Sequence, residues 1–485
     1  MFLIPLFIIP LIAIFQITLL SQNKPKSIFN WGLFWSLLIL IYYIVIWLQI
    51  SLHCDYQFYF DMTWFNRSSL TFSWNNLIFS CDGISFFFIG LSIILIPICI
   101  LISYESINNL HREFVVLLFL ILEFLVGVFT IMDILGFYIL FEAILIPMFI
   151  IIGIWGSREQ KVKAAFYFFF YTLIGSLLML LSIFKIYSLV GSTSYYTLTS
   201  SFIPSNIQIW LFIGFFASLS VKIPMIPFHI WLPQAHVEAP VSGSVLLAGI
   251  LLKLGGYGFI RFAYPLFPVA YEYFSPFIIM LSIIAIVYAS FTTCRQSDVK
   301  RLIAYSSVSH MGLVTLALYT HSVEGLVASV LMMLAHGLVS SGLFMTTSIL
   351  YVRHHTRIIK YYRGIVTLMP LFSSITLILI LGNISFPLTL NFIAEFISIT
   401  AALNYSLYVA VMTCVGVLLG TIYSFYLYNR MHFGIYSSYL KWTRELIRFE
   451  FNSFLPIILL TLFFGVFPNL LISPLSWSYY INISL

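Results

Sequence analysis

Runs of about 20 apolar residues, the length that crosses a bilayer as a helix, recur from one end of this sequence to the other; MFLIPLFIIPLIAIFQITLL is the first. Water cannot surround so many of them. Of 485 residues, 61% are hydrophobic and only 8% charged, whereas soluble domains carry about 25% charged residues. The chain therefore reads as an all-α polytopic membrane protein, because a helix pairs its own backbone polar groups where lipid offers no partners. The 20-residue criterion gives about 14 spans. They fall near 1–20, 31–50, 84–103, 114–132, 134–155, 165–190, 207–231, 241–262, 272–293, 300–319, 322–350, 366–401, 406–430 and 454–475. The first run lacks a basic leader and exceeds a signal-peptide core, so it is expected to be a retained span. In this setting the net charge of +6 concerns helix ends, and no nucleic-acid partner is expected. Phe (49) and Tyr (30) both outnumber Gly (25), the bias of AT-rich codons and a hint of an organelle gene.

Loop charges test the span count. Lys24 and Lys26 lie in the first loop, Arg158, Glu159, Lys161 and Lys163 in the fifth, and Arg295, Asp298, Lys300 and Arg301 in the ninth. The eleventh holds Arg353, Arg357, Lys360 and Arg363, and the thirteenth Arg430, Lys441, Arg444 and Arg448 against Glu445 and Glu450. Even loops hold Asp55, Asp61, Asp82, Glu272 and Glu324, with Arg67 the only base. One fixed topology requires such alternation, basic loops facing the cytoplasm-equivalent side and both termini the other. No loop is long enough for an extramembrane domain of ordinary size. The units expected are 1–113, N-terminal spans; 114–262, a first half with a broken helix near 222–227; 272–430, a second half with a broken helix near 387–395; and 431–485, an interfacial helical segment and the last span.

Inside the spans, charge is expensive. Lys222 opens VKIPMIPFHIWLPQAHVEAP (221–240) directly after an apolar stretch, and a lysine at bilayer depth costs about 2.5–3.5 kcal/mol. One reading is a lysine snorkelling from a helix end. The other is an ion path: Pro224 and Pro227 break the helix just beyond it, and broken backbone persists at that depth only against protein or a wet cavity, as at transporter midplane sites. Glu142, in GFYILFEAILIPMFI, is either a structural partner for a cation or a proton carrier; an ion pair with Lys222 would let each tune the other. Lys253, in SGSVLLAGILLKLGGYGFI, is followed by Gly255, Gly256 and Gly258, which permit close helix approach. That glycine run is no dinucleotide loop, since no strand precedes it.

Glu395, in GNISFPLTLNFIAEFISIT, follows a second break at Pro387, with Asn391 one turn before it. Two discontinuous helices in two halves point to an inverted repeat of helix bundles. His310 and His336 each have a serine four residues away on the same helix face, Ser306 and Ser340. They are either satisfied core groups or relays, since imidazole changes charge near neutral pH. His229 and His236 lie beyond the first break. Asp133 reads as a helix boundary, and Glu123 has no assigned role. The five cysteines, Cys54, Cys81, Cys99, Cys294 and Cys414, form no CxxC and no Cys/His cluster, so neither an iron–sulfur nor a zinc site is expected; a Cys54–Cys81 disulfide stays open. Moving one charge across 100 mV takes about 2.3 kcal/mol. Without a nucleotide loop or haem pattern, that work must come from an ion gradient or a partner protein.

KIPMIPFHIWLPQAHVEAPVSGSVLLAGILLKLGGYG, RQSDVKRLIAYSSVSHMG (295–312) and LAHGLVSSGLF (334–344) strongly resemble the core of the antiporter-like subunits of respiratory complex I, a likeness that runs from near residue 84 onward. Of three related chains in that family, one is favoured by the FYILFEAILIPMFIIIGIWG context and by Glu395, where its sisters look to have lysine. The resemblance implies roles residue by residue: Glu142 as the acid paired with the broken-helix lysine Lys222, Lys253 as the central lysine, His310 and His336 as the central hydrophilic axis, and Glu395 as the terminal acid. His229 and His236 fall in the motif without a fixed role. It also implies proton pumping in the mitochondrial inner membrane, coupled to electron transfer from NADH to ubiquinone in other subunits. No cofactor is then bound by this chain; NADH, FMN, iron–sulfur clusters and ubiquinone belong elsewhere. Partners would be neighbouring antiporter-like chains, other membrane-arm and accessory subunits, and lipids such as cardiolipin. Basic loops would face the matrix and both termini the intermembrane side. Two rivals remain: an Mrp-type cation/proton antiporter subunit without redox coupling, and a structural membrane spacer.

Overall fold

Apolar runs become helices here because polar residues close their ends. Asp82, Asp133, Asp298, Ser322 and Ser406 each accept hydrogen bonds from first-turn amides of the helix that follows, satisfying donors that lipid cannot. The computed structural model describes residues 2–50, 56–63, 76–440 and 444–484. Among these, ten helices are long and apolar enough to cross a membrane, and Ile4–Leu19 and Pro370–Asn383 are shorter apolar helices. Ser205–Lys222 and Val299–Leu318 are not among the ten; side chains that serve a buried polar site lower a helix's apolarity. The segment expected as one last span is two helices, Arg448–Val466 and Asn469–Ser484, parted at Phe467 and Pro468.

Burial sorts the helices into an inner and an outer set. Gly83–Ser106, Val241–Leu266 and Val323–His354 are 89%, 100% and 100% buried over their apolar windows, whereas Pro25–Gln49 is 28% buried. The inner helices carry Lys253 and His336. Outer helices present large apolar side chains such as Trp210, Leu181 and Phe170, as a lipid-facing surface should.

Loop alternation corresponds to two ends of the bundle. At one end Arg158 meets Asp298 at 3.7 Å, joining the fifth loop to the ninth. Asp298 bridges to Ile358 of the eleventh, and Arg353 of the eleventh pairs with Glu450 at 2.5 Å. At the other end two strands, β1 (Gln57–Thr63) and β2 (Asn76–Cys81), form an antiparallel hairpin, which Phe79 and Ile131 bridge to the fourth loop. The all-helical expectation omits this hairpin, since six or seven aromatic-rich residues between spans carry too few alternations to declare a strand. Within 431–453, where an interfacial helix is expected, described residues 433–440 and 444–447 are turns and irregular backbone, and helix resumes at Arg448. Cys54 is outside the described residues, and with it the question of a bridge to Cys81.

Asp82, expected as a loop charge, is buried. Its carboxylate lies 2.5 Å from the guanidinium of Arg261, a residue the sequence does not single out. Arg261 also donates to Tyr56 Oη at 2.9 Å, Ser85 Oγ at 3.0 Å and Tyr257 Oη at 3.2 Å. The cluster ties the start of Gly83–Ser106 to the helix that carries Lys253, and thereby fixes the register of two inner helices.

Candidate functional site

The first broken helix forms as its prolines require. Helix Ser205–Lys222 stops at the lysine, and helix resumes only at Trp231, beyond Pro224 and Pro227. Groups freed by the break are paired within the protein: Trp231 Nε1 donates to Val221 O at 3.0 Å and Met225 N to Ser220 O at 2.9 Å. Lys222 is buried. Its ammonium lies 4.1 Å from the Phe141 ring centroid and 3.5 Å from Phe141 O. The expected Glu142–Lys222 ion pair is therefore not a direct contact. Successive residues on a helix point about 100° apart; the buried Phe141 faces the lysine with its ring, a cation–π contact, and half-buried Glu142 stands beside it with Oε1 lacking a hydrogen-bond partner.

Lys253 lies between two π-helical turns, Leu247–Leu251 and Phe259–Ala263, features common where helices serve a site. Fully buried, it donates from Nζ to Ala248 O within the first π-turn and sits 2.9 Å from His336 Nδ1. Glycines draw its helix onto both neighbours. A Cβ on Gly255 would meet Leu219 O at 2.9 Å and Ile223 N at 3.1 Å, and one on Gly337 would meet Gly249 O at 2.9 Å. These approaches set Lys253 next to the Lys222 helix on one side and within reach of His336 on the other.

The polar chain continues from there. The rings of His336 and His310 are 5.6 Å apart. His310 Nε2 is 3.2 Å from Asn383 Oδ1, and Nδ1 is 3.4 Å from Glu395 Oε1. Asn383 closes the first piece of the second broken helix, Pro370–Asn383, and Glu395 lies in the second piece, Leu390–Tyr405. A cavity of about 20 Å³ lined by His310, Asn383, Glu395 and Tyr423 has room for one water. The serine partners expected for the two imidazoles are otherwise engaged: Ser306 donates to Ile303 O at 2.8 Å and Ser340 to His336 O at 2.5 Å. A hydroxyl's nearest acceptor is its own helix backbone, which leaves both rings free to face neighbouring helices.

Lys253, His336, His310 and Glu395 thus form one buried series, with Lys222 and Glu142 beside it but without a direct bond to Lys253. His236 is fully buried, stacked on Phe344 at 4.6 Å, and bonded at neither ring nitrogen. His229 stands apart from the series, its ring 6.3 Å from those of Tyr288 and Tyr305. Asn391, one turn before Glu395, is buried with both amide atoms unpaired. Glu123 has a buried Oε2 without a partner. Asp133 caps Ile134–Ala143 as a helix boundary; burial raises its pKa against hydrogen bonds from Thr193, Gly136 and Leu135. At the basic end, burial and then the nearby Arg158 lower the pKa of Arg357. Asn383 is absent from the sequence-based set although GNISFPL displays it; an amide at the lip of a proline break was the available signal.

Comparison with known proteins places these features in context. The family model described as NADH:quinone oxidoreductase/Mrp antiporter, TM, matches residues 131–420. The chain is 53% identical over 469 residues to NADH-ubiquinone oxidoreductase chain 4 of Metridium senile, covering 97% of this chain and 96% of that one. It is 45% identical over 472 residues to the protein of the same name from Chondrus crispus, covering 97% and 95%. Among solved structures, a chain of respiratory complex I from Thermus thermophilus with bound NADH superposes with a TM-score of 0.88 at 25% identity, over 99% of both chains. A chain of the Mrp complex from a Dietzia species shares the fold, with a TM-score of 0.86 at 15% identity over 98% of this chain and 96% of that one.

Proposed function

This chain belongs to the NADH-ubiquinone oxidoreductase chain 4 family, within the wider NADH:quinone oxidoreductase/Mrp antiporter fold, and from that premise we propose that it is a proton-translocating membrane-arm subunit of respiratory complex I in the mitochondrial inner membrane. Other subunits carry out electron transfer from NADH to ubiquinone and hold the FMN and iron–sulfur clusters; this chain carries no redox centre. Its partners are the neighbouring antiporter-like chains, further membrane-arm and accessory subunits, and lipids such as cardiolipin. The basic loops face the matrix and the termini the intermembrane side. Residues 114–262 and 272–430 act as two halves, each with one broken helix.

The observation that carries this reading is the buried series Lys253–His336–His310–Glu395. The Lys253 ammonium passes a proton to His336 Nδ1 at 2.9 Å, and the resulting imidazolium passes one by way of His310 to the Glu395 carboxylate, 3.4 Å beyond. Two positive charges on the Lys253–His336 pair would repel by about 6 kcal/mol at an effective dielectric of about 20, so the pair holds one proton at a time. A charge change in a neighbouring subunit acts on Glu142 and, through it, on Lys222. Lys222 sits on a cation–π contact rather than in a tight ion pair, a hold weak enough for a modest field to release.

The Mrp-type reading has likeness of fold at 15% identity and a family model that covers both kinds of protein, whereas the 53% and 45% identical relatives are chain 4 proteins. The two readings part on purification under mild detergent. The chain is expected to travel in a large assembly with flavin absorbance and iron–sulfur resonances. Recovery in a small assembly that lacks both and exchanges a metal cation for protons would contradict the reading.

A further inference from the structure

We propose that Asn383 is a positioning residue that fixes the tautomer of His310, and that the second helix break serves to set Asn383 and Glu395 on the two nitrogens of that one ring. The inference rests on the proposed function and names the group that directs the proton onto Glu395.

In an unbroken helix residues 383 and 395 would stand about 18 Å apart along the axis and about 120° apart around it, so they could not grip one imidazole. The break removes that separation. Helix Pro370–Asn383 ends at the asparagine, and helix resumes at Leu390. Between them Ser385 and Leu388 take φ of +62° and +76°, values that no helix continues through. Helix Arg448–Val466 backs this turn: a Cβ on Gly465 would meet Leu388 C at 2.6 Å and Thr389 C at 2.8 Å, so the glycine lets the two backbones touch. One side chain from each piece of the broken helix then reaches His310. Asn383 Oδ1 lies 3.2 Å from Nε2, and Glu395 Oε1 lies 3.4 Å from Nδ1.

An amide oxygen only accepts hydrogen bonds. Nε2 therefore carries its hydrogen in the neutral ring as well as in the imidazolium, and the neutral ring keeps its lone pair on Nδ1, facing the carboxyl group. Which end of the amide meets the ring is set from the far side, where Asn383 Nδ2 donates to Ser424 Oγ at 3.1 Å. His310, Asn383, Glu395 and Ser424 are all buried, so bulk water does not compete for these bonds. Transfer is then a single step at one atom. The Nδ1–H bond of the imidazolium breaks, an O–H bond forms on Glu395, and a neutral ring and a neutral acid remain, with Nε2–H still on Asn383. Without the Oδ1 acceptor, a neutral ring beside an ionised Glu395 would place its hydrogen on Nδ1 as a donor to the carboxylate. It would then have no lone pair there to take up the next proton.

Asn383→Leu keeps the shape and removes the acceptor. Asn383→Gln keeps the amide, and the adjoining cavity of about 20 Å³ offers room for its extra methylene. Ser424→Ala leaves the amide free to turn over. In the assembled complex, protons moved per NADH oxidised should fall in Asn383→Leu to the value of Lys253→Met, stand higher in Asn383→Gln, and lie between parent and Asn383→Leu in Ser424→Ala. On a His310→Phe background Asn383→Leu should cause no further fall. Infrared difference spectra between oxidised and reduced complex give a second readout: the carboxylic acid C=O band that Glu395→Gln removes should weaken in Asn383→Leu and persist in Asn383→Gln. A parental ratio in Asn383→Leu, with Lys253→Met lowered, overturns the inference and leaves the proposed function standing. So does an equal fall in Asn383→Leu and Asn383→Gln with that band unchanged, which would make Asn383 a packing residue. If Asn383→Leu does not assemble, Ser424→Ala decides, and a parental ratio with a parental band there overturns the inference. A parental ratio in every variant, Lys253→Met included, overturns the proposed function.

Discussion

Replacing Arg261 with methionine is expected to abolish most assembly of this chain into its complex. Arg261 is 2% exposed, and its partner Asp82 5%. Their mutual attraction, with three further donors to Tyr56, Ser85 and Tyr257, offsets the cost of bringing both charges out of water. Methionine restores the volume but leaves Asp82 as an uncompensated buried carboxylate. Breaking one side of a buried pair costs about 3–5 kcal/mol, a large fraction of the about 5–15 kcal/mol that holds an ordinary fold together. The contact also sets the register of Gly83–Ser106 against Val241–Leu266, so the loss would spread to the helix that bears Lys253. The amount of assembled complex on native gels and its half-life on heating measure the effect. The double variant Arg261→Met with Asp82→Asn should recover much of the loss, because no unpaired charge remains. Parental assembly of Arg261→Met alone would show that the pair does not matter to the fold.

Lys253→Met should act differently, on proton movement rather than on assembly. The side chains match in volume and shape, and among the described residues the lysine's polar contacts are Ala248 O and His336 Nδ1. Loss of a positioned proton-transfer group slows its step by about 10²–10⁴-fold, enough to silence the route through this chain while other pumping subunits continue. The expected result is a complex that assembles, oxidises NADH and moves fewer protons for each one. Undiminished pumping would mean that protons bypass the Lys253–His336 pair.

The parts of this fold that sequence reveals are those with local causes. Pro224 breaks a helix wherever it stands, so the interruption after Lys222 is legible, as is the one near Pro387. Loop charge follows from membrane insertion, and the odd loops do meet at one end. Gly255, flagged by its place beside Lys253, does lie against the backbone of the Lys222 helix. Partners distant in the chain are another matter. Nothing near Asp82 names Arg261, and helical spacing cannot say whether Lys222 will meet Glu142 or the ring of Phe141. The π-turns add to this: each widens the helix by one residue per turn and turns the following side chains off the 3.6-residue pattern, so the facing of Lys253 and Arg261 cannot be read from periodicity. His310 and His336 are correctly marked as buried polar groups, yet the serines on their own faces are not their partners, because each hydroxyl finds a nearer acceptor in its own helix.

The central claim is that buried titratable groups beside broken helices carry protons through this chain. The most direct test is the number of protons moved per NADH oxidised by complex bearing Lys222→Ala, purified, reconstituted in vesicles and compared with the parent at matched amounts of fully assembled enzyme. The ratio should fall by more than assembly does. A parental ratio in fully assembled complex would contradict a role for Lys222 in moving protons, and would leave the chain a spacer between the subunits that do.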